Sequence, residues 1–348
     1  MNPSVSIITV TYNSKSYLEQ FLPSILLTKG DFEFIIFDNN SNDGSSEYIQ
    51  QNFPQVRLIQ NKENLGFAKG NNVAAQKSKA DLLVFINPDT LVEPEWLENL
   101  IKPFNSSDIG LTTSKILLMH DKNTINTCGN AIHISGITQC RGVNEPSSNY
   151  TVQDEVSAIS GAAFAIRREL FDKLNGFDTD FFLYMEETDL SLRARGMGWK
   201  CIYVPDSIVY HDYELRFGPK KVFYQERNRH LMLLQNFKWI TIFLMLPILF
   251  LAEIITWGFV ILRDRKNFSN KIDAYCWIIK NWRMVMTKRK NVQALRSVPD
   301  KDLLAYTTFN INFDQVTSGA LNLFLSVFNG LYWIMKQCLM LLLRLFNI

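Results

Sequence analysis

Four times before residue 90, an apolar run of strand length breaks into polar residues and a helical pattern follows. That rhythm leaves few folds open. Residues 4–12 read as a buried strand ending at Thr11-Tyr12-Asn13-Ser14, where polar side chains can cap a helix running to roughly Leu27. Leu18, Phe21, Leu22 and Ile25 form the inner side of that helix. A second strand, Phe32 to Phe37, stops at Asp38-Asn39-Asn40-Ser41. Val56–Ile59, a loop through Asn64-Leu65-Gly66, a helix to about Ser78 and a strand Asp81–Ile86 complete the series. Strand and helix in alternation specify α/β architecture, a mostly parallel sheet with helices on both faces.

In such sheets ligands bind beyond the carboxyl ends of the strands. The polar clusters at 11–14, 38–45 and 87–90 all fall there. Asp38 can accept the ring N–H of a pyrimidine base with Tyr12 stacked on it, or it can simply cap the next turn. Gly66 and Gly70 permit close backbone approach at a helix start, a natural seat for a diphosphate. Asp89 follows a strand and a turn-fixing Pro88. It can offer a carboxylate to Mg²⁺ or Mn²⁺, or cap the helix near Glu93-Pro94-Glu95-Trp96.

Phe181-Phe182-Leu183-Tyr184-Met185-Glu186-Glu187-Thr188-Asp189-Leu190 sets three carboxylates at a helix mouth. There the N–H groups and the dipole favour negative charge, as a general base requires. Asp189, Arg193 and Met197 share one helical face. His211 ends a strand soon afterwards, and imidazole can complete an oxygen-rich metal shell or serve as a plain structural residue. Residues 105–160 are less legible. Ile116–Met119 and Ile132–Ile137 read as strands, Arg141–Tyr150 as a loop, and Val156–Ile166 as a return to buried strand.

The net charge of +2 hides an asymmetry: residues 263–319 carry +6, residues 320–348 carry +2, and the first 262 carry −6. A basic rear with long apolar runs suits anionic lipid headgroups and argues against nucleic acid. Five cysteines without paired spacing read as reduced thiols, and the chain enters its first strand without a signal segment, which predicts a cytoplasmic body. Ile240–Leu262 is long enough to span a membrane. Glu253 near its middle and the basic segment behind it favour helices lying in the cytoplasmic interface, or a re-entrant pair, with Lys288-Arg289-Lys290 on headgroups. Leu321–Ile348 resembles an interfacial helix. The alternative is that these apolar faces pack internally or against a second copy. Arg227 and Arg229 are candidates for a diphosphate. The expected division is a catalytic domain over 1–225 and a helical region over 226–348.

The segments 8–13, 37–45, 64–72, 87–89, 160–163, 176–178, 181–190 and 210–211 occur in the order found in glycosyltransferase family 2. Across roughly residues 4–215 the chain resembles that family's inverting GT-A enzymes, particularly a rhamnosyltransferase-like branch. The resemblance implies a nucleotide-diphospho-sugar donor held by Thr9, Tyr12, Asp38, Asn64, Gly66, Asn72 and Asn87, and a divalent cation on Asp89 and His211. It makes Glu187 the catalytic base, with Glu186 the runner-up, and leaves Gly161 and Asp189 near acceptor or diphosphate. Asn87 stands where the family's metal motif usually begins with Asp, and Glu187 where it usually has Asp. Together with the membrane-facing rear, the resemblance implies a polyprenyl-diphosphate-linked acceptor, with dTDP-rhamnose as first donor. Gln235-Asn236-Phe237-Lys238-Trp239 resembles a motif of processive synthases, the rival reading beside an inactive nucleotide-sugar-binding adaptor.

Overall fold

The computed structural model describes residues 3–213, 220–312, 321–346 and 348. The expected basic segment 263–319 and the expected terminal helix therefore run partly outside the described residues. The chain divides into two units. One comprises residues 1–130, 140–194 and 199–214; the other comprises 131–139, 195–198 and 215–348. The expectation of one cut at 225 had no means of registering the two short excursions, because composition does not change across them.

The first unit opens as the alternation dictates: β1 (Val5–Thr11), α1 (Lys15–Leu26), β2 (Glu33–Asp38), α2 (Ser45–Asn52), β3 (Arg57–Gln60), α3 (Gly66–Lys77) and β4 (Leu82–Ile86). Leu18, Phe21, Leu22 and Ile25 are fully buried on α1, at the three-to-four spacing that aims one helical face at the sheet. β5 (Thr90–Val92), α4 (Trp96–Ile101), β6 (Ile109–Leu118), β7 (Ile125–Thr127), β8 (Asn130–Ile132), β9 (Thr138–Cys140) and β10 (Asp154–Glu155) follow, then β11 (Ala163–Arg167), α5 (Arg168–Lys173), α6 (Glu186–Gly196) and β12 (Lys200–His211).

Ten strands form one mixed sheet in the order β10-β12-β6-β11-β4-β1-β2-β3, with β5 on β12 and β7 on β6, while β8 and β9 pair separately. β1 to β4 are mutually parallel neighbours, and β11 runs antiparallel between β4 and β6. β6 is longer than the Ile116–Met119 strand expected. Its ten residues are all buried, so no alternation marked its start. β12, the strand that His211 ends, carries an irregularity between Val204 and Ile208. Reversal of β11 places its beginning, and the turn at 160–162, at the edge where β4 ends: Asn87 N–H donates to Ala162 C=O at 3.0 Å.

A buried ion pair positions α6. Arg193 Nε donates to Asp189 Oδ2 at 2.6 Å, and its other nitrogens reach the carbonyls of Leu174 and Gly176 at 2.8 and 3.0 Å. Gly176 has φ +68°, the left-handed conformation that commonly stops a helix such as α5. One guanidinium thus fastens the start of α6 to the turn before it.

The second unit holds most of the β8–β9 pair and is otherwise helical: α7 (Lys221–Asn236), α8 (Trp239–Leu244), α9 (Leu246–Arg263), α10 (Phe268–Lys280), α11 (Trp282–Leu295), α12 (Asp300–Ala305) and α13 (Leu321–Leu345). α10 and α11 pack on α7. The apolar stretch 240–262 is two helices, because Pro247 in the first turn of α9 suits a helix beginning there and not one passing through. Arg289, expected on headgroups, is buried and donates to the carbonyls of Leu234 and Phe237, which end α7.

Asp189→Ala would strand the Arg193 guanidinium in the interior. A loss of about 3–5 kcal/mol is expected, measured as a lowered midpoint in urea unfolding, and an unchanged midpoint would show that the pair does not anchor α6.

Candidate active site

Strand register brings Asp89 and His211 together. β12 pairs antiparallel with β5 so that His211 lies opposite Thr90. Asp89, one residue earlier, then meets the imidazole, with Oδ1 3.4 Å from Nε2. On its other side His211 Nδ1 lies 2.9 Å from Asn126 Oδ1. An acceptor there places the ring proton on Nδ1 and leaves a lone pair on Nε2. Asp89 Oδ1 is buried and takes no hydrogen bond. Two electron-rich atoms facing one another in a buried corner are costly unless a positive charge joins them. A hard divalent cation suits this donor set, with the carboxylate as the primary ligand and the imidazole held in its tautomer by an outer amide.

Glu186 and Glu187 start α6 after a strained approach: Phe182, Tyr184 and Met185 have φ of 60°, 70° and 69°. Side chains pay for left-handed backbone, and such strain persists only where packing holds it. Part of that packing is visible at Gly66, itself at φ +75°. A Cβ there would lie 2.7 Å from the Phe182 ring and 2.9 Å from the Phe182 carbonyl, so only glycine fits. Phe67 N–H also donates to that carbonyl at 3.1 Å, tying the 64–72 segment to the acidic one.

The two glutamates differ in surroundings. Glu187 is half-buried, accepts from Asn130 Nδ2 at 2.9 Å on Oε1, and lies against Gly161, where a Cβ would sit 3.5 Å from its Cγ. Burial raises its pKa, and the N–H groups at the helix start, Thr188 and Asn130 pull it back. Glu186 is 3% exposed, and its Oε2 is buried without a hydrogen-bond partner. Burial, then the charge of Glu187, holds it well above the usual carboxylate range. The proton of the pair belongs on Glu186 and the charge on Glu187.

Asn126 and Asn130 were invisible to sequence reasoning, since nothing in their segment signals a partner 85 or 57 residues away. They are four residues apart around β7, and that one segment supports both halves of the site.

The remaining candidates separate. Tyr12 is 51% exposed beyond β1, free to meet a planar ligand. Asp38 is buried; its Oδ1 accepts from Thr11 and Ser41 hydroxyls, and its Oδ2 from Ser41 N–H, which leaves one lone pair on Oδ2. Asn64 caps the turn into α3 through Gly66 N–H at 2.9 Å, and Asn87 is half-buried at the tip of β4. Asn72 clamps Phe177 instead, donating to its carbonyl at 2.8 Å and accepting its N–H at 2.9 Å. Four residues expected at ligand-binding positions lie inside the protein. Thr9 is fully buried within β1, and Asp189 is spent on Arg193. In the second unit Arg229 pairs with Glu226 and Glu253, and Arg227 is buried against Phe223, Tyr224 and Trp277. Such guanidinium groups read as binding cations in sequence because nothing there shows what surrounds them.

The description "Glycosyl transferase family 2" matches residues 6–174. An N-acetylglucosaminyl-diphospho-decaprenol L-rhamnosyltransferase of Mycobacterium tuberculosis is 26% identical over 235 residues, covering 61% of this chain and 76% of the relative. The rhamnosyltransferase WbbL of Escherichia coli is 24% identical, covering 60% and 83%. Among solved structures, GalNAc-T7 with UDP, GalNAc and Mn²⁺ superposes with a TM-score of 0.56 at 22% identity, covering 66% of this chain and 47% of the other. S. aureus TarS with UDP-GlcNAc gives 0.54 at 15%, covering 98% and 91%. The sheet order, the edge at which the acidic groups gather and the match over residues 6–174 agree: across that stretch the chain resembles glycosyl transferase family 2, and rhamnosyltransferases are among the proteins it is similar to.

Proposed function

We propose that the chain transfers a sugar from a nucleotide-diphospho-sugar to a hydroxyl of a polyprenyl-diphosphate-linked saccharide, inverting the anomeric centre, at the cytoplasmic face of a bacterial membrane. L-rhamnose from dTDP-rhamnose is the first donor to test. The observation that carries the reading is the support of both the Asp89–His211 pair and Glu187 by one short segment, through Asn126 and Asn130. The names of the mycobacterial and E. coli relatives supply the sugar and the lipid-linked acceptor. Surface polysaccharide assembly is the corresponding process.

Each residue then has a task. Tyr12 stacks on the base and Asp38 accepts its N–H on the remaining Oδ2 lone pair. Gly66 lets the donor approach the start of α3, and Asn87, uncharged, keeps the repulsion of the diphosphate low. Asp89 and His211 hold a divalent cation, Mg²⁺ or Mn²⁺, which when bound neutralises charge on the leaving diphosphate. Glu187 takes the proton of the acceptor hydroxyl as that oxygen attacks the anomeric carbon opposite the diphosphate. Burial lifts the Glu187 pKa towards working pH, which strengthens it as a base while the hydrogen bonds around it keep it ionised. Glu186, protonated, spares the site a second negative charge. A glutamate is one methylene longer than the family's usual aspartate, so its carboxylate reaches about an ångström further.

The processive alternative needs several spans to form a channel. Among the described residues one helix is long and apolar enough to cross a membrane, or two if a bent pair is counted as one span. The segment resembling the synthase motif is structural here: Gln235, Asn236 and Phe237 are buried, and their carbonyls accept from Gln293, Arg296 and Arg289.

Three outcomes are expected. Glu187→Gln keeps donor binding, read as thermal stabilisation by the nucleotide-sugar, and lowers turnover by roughly 10²–10⁴-fold; near-normal transfer would remove Glu187 from the role. Asp89→Asn and His211→Ala abolish the extra stabilisation that Mn²⁺ or Mg²⁺ adds to the donor in a panel of nucleotide-sugars; undiminished metal dependence would place the cation elsewhere. Glu186 has a raised folded pKa, so its contribution to stability is full below the unfolded value and is lost as pH rises through the folded one. Glu186→Gln should therefore gain in melting temperature relative to wild type between pH 5 and pH 8 on the order of a few degrees, and a constant difference would contradict that environment.

A further inference from the structure

α9 and α10 meet at a bend of 116°. The bend is held from inside by charges the transfer reaction does not use. Glu253 on α9 and Glu226 on α7 face Arg229 on α7 and Lys271 on α10: Lys271 Nζ lies 2.7 Å from Glu226 and 3.2 Å from Glu253, and Arg229 pairs with both acids. Tyr275 on α10 adds a hydrogen bond to Glu253 at 2.5 Å. Lys271 is fully buried. Glu226, His230 and Glu253 have the donor atoms of a metal site, but two buried cations already balance the two acids, which leaves no call for a third.

The outer side of the same helices is apolar and uncovered. Leu246, Phe250, Ile254 and Ile261 are exposed on α9 at intervals of four, four and seven residues, which is one helical face. Phe268, Ile272 and Ile279 repeat the pattern on α10. Exposed basic residues stand at the ends of these helices: Lys238 before α8, Arg265 and Lys266 at the bend, Lys280 and Arg283 where α10 gives way to α11. Trp239 and Trp282 lie 6.2 Å apart, both partly exposed, at the margin. Apolar faces edged by tryptophan and basic side chains match the layering of a bilayer interface: acyl chains, then the aromatic belt, then anionic headgroups.

We infer that α8, α9 and α10 lie flat on an anionic lipid surface, their outer faces sunk to the acyl boundary, and that α9 does not cross the bilayer. Crossing would require the bent pair to open. Opening would pull Glu253 away from Lys271 and Tyr275, leaving Lys271 with one of its two acids and the Glu253 carboxylate beside hydrocarbon without two of its partners. The length of α9 alone does not decide the matter, since 18 residues span about 27 Å, close to the hydrocarbon thickness. The ion network decides it. This inference stands apart from the proposed sugar chemistry, and lipid binding reads it without donor or acceptor.

The test uses the full chain and phosphatidylcholine vesicles with or without phosphatidylglycerol. Flotation with the anionic vesicles is expected, weakened by salt and released by alkaline carbonate. Phe250→Glu changes a side chain that is 69% exposed and should lower vesicle partition roughly tenfold or more. Arg265→Glu combined with Lys266→Glu should remove the preference for anionic lipid. Unchanged melting temperatures would verify that these variants fold. Retention in the membrane after carbonate treatment would overturn the inference in favour of a span. Absence of vesicle binding, with a dimer in solution that Phe250→Glu dissociates, would overturn it in favour of a second copy as the occupant of this face.

Discussion

A ring nitrogen aimed at a carboxylate oxygen, 3.4 Å away and not hydrogen-bonded to it, is the constraint around which the first unit is arranged. Asn126 keeps the proton on the far side of the imidazole, and the pairing of His211 with Thr90 keeps Asp89 in place. His211 is the last residue of β12 and Asp89 lies in the turn just before β5, so the pairing of the two strands sets the distance between the side chains. The rest of the site follows from that edge: the turn at 160–162 bonded to Asn87, Gly161 against Glu187, and Asn130 returning from the segment that carries Asn126.

The glutamate pair obeys the same economy of charge. Two adjacent carboxylates at a buried helix start cannot both ionise cheaply. The surroundings settle the division, since one has hydrogen-bond donors and the other has an oxygen facing none. Strained backbone just before them aims the helix, and the Asp189–Arg193 pair anchors its first turn to the bend at 174–176. Backbone strain and a buried ion pair therefore meet at the candidate site.

In the second unit charge plays the opposite part. Arg229 and Lys271 exist there for Glu226 and Glu253: burial pushes Glu226 up, and Arg229 and Lys271 outweigh it and hold the carboxyl below its usual value. Around these ion pairs the unit buries Leu231, Met232, Leu233, Met245 and Ile248, while Leu246, Phe250 and Ile254 stay exposed.

Much of the site was legible because strand ends announce themselves. The sequence by itself determined the parallel half of the sheet, the edge where polar residues collect, and the candidacy of Asp89, Glu186, Glu187 and His211. Each of these follows from local pattern: an apolar run must be buried, and polar residues that interrupt it must lie at its end. Only the tertiary structure decided which polar residues reach the site. Thr9, Asp189, Arg227 and Arg229 were drawn inside, Asn72 was given to Phe177, and Asn126 and Asn130 were brought in from an unmarked segment. The physical reason is that a side chain's partner is set by strand register and helix packing over distances of dozens of residues, and sequence pattern carries direction and burial but not partnership.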